Sequence, residues 1–174
     1  MKYFVKFIVV TFFLLVCTNT FAEEKIVVMD LTYVLNKSKA GEGAQKFLKK
    51  SYDANIKKFT EIEKGLKKEE NDLLAKKNIL SKEEYGKKMT TLRKKNIDYQ
   101  NQKRTAVDKI STLRAQSREN LLKEIKPILE TYIKENNISL VLDKRFILGG
   151  CKKNDITEVI VEKLNKDFPS LNLQ

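Results

Sequence analysis

The sequence predicts an α+β protein in which a long antiparallel helical hairpin is inserted into a small body built from both ends of the chain. Two series of apolar residues with seven-residue spacing predict the paired helices of this hairpin. Two short runs rich in β-branched residues, one on each side of the hairpin, predict strands of the body. A helix-capping pattern between the two heptad series predicts where the chain turns back.

The N-terminal residues 1–22 have the pattern of a cleaved signal peptide. Lys2 and Lys6 precede a nearly unbroken apolar run over 7–16, and residues 20–22 form a suitable cleavage site. A run of about ten apolar residues is shorter than the roughly 20 that a membrane-spanning helix needs. We therefore expect export to the periplasm, with a retained membrane anchor as the alternative.

The cysteines and the lack of histidine narrow the possible chemistry. Cys17 would suggest a lipoprotein, but Val16 stands where a lipid attachment signal requires a small residue. After cleavage Cys151 would remain alone, so no intrachain disulfide could form, and its role stays open. Without histidine, His-based metal sites and His-activated nucleophiles are excluded. Since the motifs of phosphate loops and nucleophile elbows are also missing, we expect neither an enzyme nor a cofactor.

The chain is strongly basic, with a formal net charge of +12, which falls by two once Lys2 and Lys6 are removed. In the cytoplasm this charge would favour nucleic acid. For an exported chain it favours acidic protein segments, anionic lipid or the phosphates of lipopolysaccharide, and no nucleic acid. The alternative is that the lysines simply solvate the surfaces of long helices.

The first part of the body is predicted over residues 23–43. The run 25–31 is apolar without alternation, which predicts a strand buried on both faces. Asp30 is placed to cap a short following helix. Gly41 and Gly43 predict a break before the hairpin begins.

The hairpin is predicted as an arm over residues 44–126. Its outgoing helix, from about residue 44 to residue 80, would be about 55 Å long. Ser81 with Glu84 three residues later is a capping-box pattern for the returning helix. When the chain folds back there, the heptad residues face each other in pairs whose residue numbers have a constant sum. The predicted seam comprises Tyr52, Phe59, Leu66, Leu73, Leu80, Tyr85, Leu92, Tyr99, Ala106 and Leu113.

Polar layers alternate with the apolar layers of this seam. A layer of Glu69 and Asn96 gives up apolar burial, so we expect an arm that holds together but bends there. Such an arm suits the enclosure of partners of varied size, whereas an imperfect coiled-coil spacer is the alternative. Basic side chains lie among the aromatic ones and suit weak contacts with an unfolded chain. The candidate basic contacts are Lys57, Lys87 and Lys94.

The second part of the body is predicted over residues 127–174. Pro127 predicts a kink or a new segment in the returning helix. The apolar runs 138–142 and 146–148 predict two strands. Residues 155–158 predict the start of an amphipathic helix. Its predicted apolar face comprises Ile156, Val159, Ile160 and Leu164.

The body has more apolar strand surface than its single amphipathic helix can cover. Its roughly 65 residues are few for a self-sufficient domain. We therefore expect a homo-oligomer that buries strand residues between copies, with a monomer masked by the base of the hairpin as the alternative. The predicted oligomer contacts are Ile26, Val28, Leu140, Leu142 and Ile147.

The order of these segments resembles the Skp (OmpH) family of periplasmic chaperones. The resemblance lies in the Lys25-Ile-Val-Val-Met-Asp-Leu strand, the charged hairpin, the Asn137-Ile-Ser-Leu-Val-Leu-Asp strand and the Asp155-Ile-Thr helix start. It implies a homotrimer with a shared central β-barrel, whose arms enclose unfolded outer-membrane proteins without ATP and prevent their aggregation. The basic cluster proposed to bind lipopolysaccharide in some members does not carry over, since only Arg114 is basic in that region. A structural coiled-coil protein of the envelope and a basic nucleic-acid-binding protein are the rival functions.

Overall fold

The computed structural model describes residues 24–150 and 152–173, so the expected signal peptide and Cys151 lie outside the described residues. The described part of the chain begins with a strand and a short helix, which are followed by two long helices, a second strand and a last short helix. In order they are β1 (Lys25–Met29), α1 (Leu31–Lys37), α2 (Lys39–Ala75), α3 (Lys82–Glu135), β2 (Ile138–Asp143) and α4 (Thr157–Asp167), with 3₁₀ turns at Lys144–Phe146 and Lys152–Asn154.

Helices α2 and α3, of 37 and 54 residues, pack against each other as the hairpin that we call the arm. The predicted capping box is confirmed: the Glu84 amide donates to Ser81 Oγ at 3.2 Å, and the Ser81 amide donates to Glu84 Oε2 at 3.2 Å. Helix α2 ends at Ala75, earlier than the predicted residue 80. The Lys76 amide bonds to the Leu73 carbonyl, three residues back, and this tightening closes the helix.

The arm helix α2 begins at Lys39, because Ser38 caps it by accepting from the Gly41 amide at 3.2 Å. The prediction that Gly41 and Gly43 break the chain before residue 44 is therefore wrong, since both lie inside α2. Gly41 is buried against the preceding helix, and a Cβ atom there would collide with the carbonyl oxygen of Leu35. The glycine serves close packing rather than a turn.

Strands β1 and β2 form a two-stranded parallel sheet, as expected when a long helical insertion connects them. The register contains a β-bulge, because Lys25 pairs with Ile138 whereas Ile26 pairs with Leu140. The bulge lets both Ile138 and Val141 pack on the core of the body.

The core of the body lies between one face of this sheet, both short helices and the end of α3 farthest from the turn. Three of its side chains, from α1 and α4, have no exposed surface: Val34, Ile160 and Leu164. The start of α2 is tied to α4 through the Lys39 amide, which donates to Asn165 Oδ1 at 2.6 Å. The body is therefore assembled from both chain ends around the base of the arm.

Three predictions about the C-terminal part are corrected by the structure. Helix α3 continues through Pro127 to Glu135, so no new segment starts there. The predicted strand over 146–148 is a 3₁₀ turn followed by irregular chain, because Asp143 accepts from the amide of Arg145 at 3.0 Å and bends the backbone after β2. On α4, Val161 is buried in place of Val159, which is 37% exposed.

Candidate functional site: the open sheet face and the arm

One face of the sheet is covered by helices and the other is open. Val27 and Met29 of β1 are buried, whereas their neighbour Ile26 is 42% exposed. Its partner across the sheet, Leu140, is 47% exposed. The structure places the predicted oligomer contacts as follows: Ile26 and Leu140 are exposed on the open face, the paired Val28 and Leu142 are half-buried, and Ile147 is half-buried beyond β2. The sheet thus presents a strip of aliphatic side chains that the single chain leaves uncovered.

Beyond β2, two large apolar side chains are even more exposed to solvent than those of the open sheet face. Phe146 is 82% exposed, and Leu148 is fully exposed. Arg145 binds back to Asp143, with Nη2 at 2.6 Å from Oδ2, and these hydrogen bonds lower the pKa of the Asp143 carboxyl. Exposed apolar side chains of this kind, a few residues beyond an uncovered sheet face in the chain, are typical of contact sites for other proteins.

A hydrogen-bonded network fixes the edge of this sheet to helix α4. The Asp30 amide donates to Thr157 Oγ1 at 2.9 Å, and the Ile156 amide donates to the Val28 carbonyl at 2.9 Å. Thr157 donates in turn, from both its amide and its hydroxyl, to Asp155 Oδ1. Burial raises the pKa of Asp155, but hydrogen bonds from Lys144 and Thr157 outweigh burial and leave that pKa below its ordinary value.

Replacement of Thr157 by Val should lower the free energy of unfolding by about 2 kcal/mol, because the Asp30 amide and the Asp155 carboxylate would each lose a partner beside a buried site. Thr157 is only 5% exposed, so water replaces the hydroxyl poorly. Urea unfolding followed by circular dichroism, at one fixed protein concentration, measures the change. Thr60→Val is the matched control, since Thr60 is exposed on α2. Equal stabilities of the two variants would contradict the importance of the network.

The predicted seam residues occupy the interior of the arm to different degrees. Those buried are Phe59, Leu66, Leu73, Leu92, Tyr99 and Leu113. Those half-buried against them are Leu80, Tyr85 and Ala106. Tyr52 differs from the prediction, since it is 50% exposed. Beside it, α2 and α3 leave a cavity of about 180 Å³ that is lined by Tyr52, Phe59 and Ala106, among others.

The middle of the arm is held by an aromatic layer with polar edges. The rings of Phe59 and Tyr99 meet edge to face, with centroids 6.0 Å apart. The Tyr99 hydroxyl donates to Glu63 Oε2 at 3.1 Å, and the ammonium group of Lys103 lies 5.6 Å from the centroid of the tyrosine ring. The tyrosine is therefore fixed by packing and by its polar end.

The layer predicted to be weak has a polar contact that the sequence did not reveal. Lys95 Nζ lies 2.8 and 2.7 Å from the two carboxylate oxygens of Glu69 across the hairpin. Both side chains are about half exposed, so this ion pair adds little stability. Asn96, the predicted partner of Glu69, is exposed. The packing of α2 against α3 in the outer half of the arm thus relies on separate leucine layers, with solvated charges between them.

The predicted basic contact residues all lie on the surface of the arm. Lys57 on α2 and Lys87 and Lys94 on α3 are exposed. Lys87 pairs with Glu83 one turn earlier in α3, with Nζ 2.7 Å from Oε1, whereas Lys57 and Lys94 take part in no ion pair among the described residues. The structure does not bring the three lysines together into one cluster.

Two further findings limit the site chemistry of the part of the chain that the structure describes. No helix there has an apolar stretch long enough to span a membrane. Over the same residues, no group of three or more Cys, Asp or Glu side chains is arranged to hold a metal ion. The features that stand out among the described residues are two contact surfaces, the open sheet face and the arm.

These features define a class of protein in which a small α+β body carries one long helical arm. The sequence profile of the family described as outer membrane protein (OmpH-like) matches residues 25–164. The chain belongs to this OmpH-like family, and the resemblance to the Skp (OmpH) chaperones predicted from the sequence is confirmed. Membership of the family supports a chaperone role.

Two known proteins illustrate the similarity. The Skp-like protein of Pseudomonas aeruginosa (strain PAO1) is 23% identical over 170 residues, which cover 95% of this chain and 99% of that protein. The crystal structure of an OmpH-like outer membrane chaperone from Caulobacter crescentus CB15 superimposes with a TM-score of 0.81 at 17% identity. That match covers 88% of this chain and 90% of the other, so the two share their fold over nearly their whole lengths.

Proposed function

We propose that this chain is an ATP-independent holdase of the periplasm, which encloses unfolded outer-membrane proteins between its arms and prevents their aggregation. In this proposal the chain is not an enzyme and works as a homotrimer. In the same proposal, residues 23–43 and 127–174 belong to the body, 44–126 are the part of the arm that projects from it, and residues 1–22 are a signal peptide removed on export. Family membership and the combination of an open sheet face with a long arm support the proposal.

The open face of the sheet is the observation that favours assembly. It exposes the aliphatic pair Ile26 and Leu140, although the other face of the same strands is buried. A small body gains stability when copies cover such a strip, because every 100 Å² of buried apolar surface contributes about 2.5 kcal/mol. Three copies with their open faces turned inward would give a shared barrel with no exposed aliphatic strip.

The surface chemistry of the arm favours contact with unfolded polypeptide. Large apolar side chains stand out of it at intervals, among them Ile56 at 48%, Ile97 at 61% and Val107 at 58% exposure. Lysines such as Lys57 and Lys94 lie between them. The chain without residues 1–22 keeps a net charge of +10, because the charges of Lys2 and Lys6 are subtracted from the full +12. Scattered apolar contacts combined with a positive field bind acidic, unfolded chains without a fixed sequence.

Light scattering tests the proposed activity. A denatured outer-membrane β-barrel protein is diluted from urea with and without one trimer equivalent of the purified protein, in the absence of nucleotide. We expect scattering to fall by at least about tenfold, as required if each captured client is removed from the aggregating pool. Unchanged scattering would leave a structural role in the envelope as the better explanation. The same measurement with denatured, strongly basic lysozyme is the control, because a basic client should be protected less.

A further inference from the structure

A basic groove lies where the arm joins the body. It has a volume of about 1030 Å³ and runs between the end of α1, the first turns of α2, and α3. Leu48 and Tyr52 supply its apolar surface, and the basic side chains around it come from all three helices. These are Lys37 on α1, Lys46 and Lys49 on α2, and Arg114 on α3.

The basic side chains that line the groove outnumber the acidic ones. Only Glu42 among the lining residues is acidic. None of the ion pairs formed among the described residues involves the four basic side chains. Some lysines farther along the arm, namely Lys64, Lys87 and Lys95, do have carboxylate partners. A concave site with four cations and one acid attracts anionic groups.

An apolar cavity adjoins this groove, and Tyr52 lines both. The cavity measures about 180 Å³ and opens between the half-exposed Ile56 and Val107, with Ala106 at the position where the heptad pattern would otherwise fill it. A protein cavity of about 150 Å³ is large enough to bind a benzene ring. The cavity therefore suits one aromatic side chain rather than a long acyl chain.

We propose that the groove and the cavity together form a docking site for an extended acidic polypeptide segment, with its carboxylates on the basic rim and one aromatic side chain in the cavity. The inference deepens the proposed function, since it places a specific client contact at the base of the arm. The basic groove and the apolar cavity lie side by side. The site therefore recognises an aromatic residue next to acidic residues rather than charge alone.

The test uses a short dye-labelled peptide with a phenylalanine between two glutamates in a glycine–serine background, and its binding is followed by fluorescence anisotropy at physiological salt. The double variant Lys46→Glu/Lys49→Glu should bind it at least about tenfold more weakly than the original protein. The matched control, Lys67→Glu/Lys68→Glu, changes the net charge of the same helix by the same amount outside the groove. It should weaken binding by less than about threefold, because charges beyond about 8 Å are screened. Equal weakening by the two variants would overturn the inference.

The cavity is tested separately. Replacement of phenylalanine by alanine in the peptide should weaken binding by about tenfold. In Ala106→Leu, where the added side chain fills the cavity, that preference should disappear. A preference that persists in Ala106→Leu would show that the aromatic ring binds elsewhere and would contradict the proposed site.

Vesicles containing phosphatidylglycerol distinguish a peptide site from a lipid site. If the groove variant loses vesicle binding while its peptide affinity equals that of the control variant, the groove binds lipid headgroups and the inference is wrong. Failure of the inference is also separable from failure of the proposed function. A protein that suppresses aggregation but ignores the peptide keeps its holdase role without this docking site.

Discussion

Replacement of Gly41 by Ala should lower the free energy of unfolding by about 3 kcal/mol or more, the largest loss expected for the addition of one methyl group to this chain. The new Cβ atom would collide with the carbonyl oxygen of Leu35, which is backbone and cannot rotate away. Relief requires α1 and the start of α2 to separate. That movement would pull Ala40 and Val34, both without exposed surface, out of contact with the core of the body.

Gly43→Ala is the matched control, because it makes the same chemical change on the same helix only two residues away. Apart from its chain neighbours and the backbone of its own helical turns, no atom lies within 4 Å of the position that its Cβ would occupy, and the residue is exposed. Alanine should therefore stabilise the helix by about 1 kcal/mol, the ordinary propensity difference. Urea unfolding at equal protein concentration measures both variants. Opposite signs support the close contact, whereas two stabilised variants would show that α1 and α2 are not packed at this point.

The same glycines illustrate why part of the fold could not be read from the sequence. Two glycines before a heptad series are typical of a break between helices. That Gly41 instead permits close packing is shown only by its contact with Leu35. This contact depends on how α1 and α2 meet, which the sequence does not reveal. The capping box at Ser81 and Glu84 was predictable because it involves residues three apart. Strands β1 and β2 were predictable for a similar reason, since their β-branched runs are local.

The prediction of a strand over 146–148 was wrong although the composition of this run suits a strand. The hydrogen bond from the Arg145 amide to Asp143 bends the backbone before the run begins. Nothing in the apolar run itself carries that information. On the arm, the heptads indicated which side chains point inward, but not how tightly the helices approach. The cavity beside Ala106 could not be predicted, because it depends on the distance between α2 and α3. The basic groove could not be predicted either, because it also depends on where the end of α1 lies.

Replacement of Leu140 by Asp should convert the proposed oligomer into monomers, with an association constant lowered by at least about a thousandfold. In the single chain Leu140 is 47% exposed, so aspartate costs little there. In an assembly whose copies cover the open face, the carboxylate would be buried without a partner, and such burial costs several kcal/mol. Light scattering coupled to size-exclusion chromatography at micromolar concentration measures the mass. Far-UV circular dichroism shows whether the separated chains keep their helices.

Ile97→Asp is the control that separates a contact at the sheet from a general effect of removing apolar surface. Ile97 is 61% exposed on α3, and it belongs to the arm rather than to the body. The same substitution there should leave the mass unchanged. If the unaltered protein is itself a monomer, or if Leu140→Asp keeps the mass of the parent, the open face is not covered by other copies. If only Leu140→Asp dissociates, the contact between copies lies at this strip of the sheet. An equal loss of apolar surface on the arm would then have left the oligomeric state unchanged.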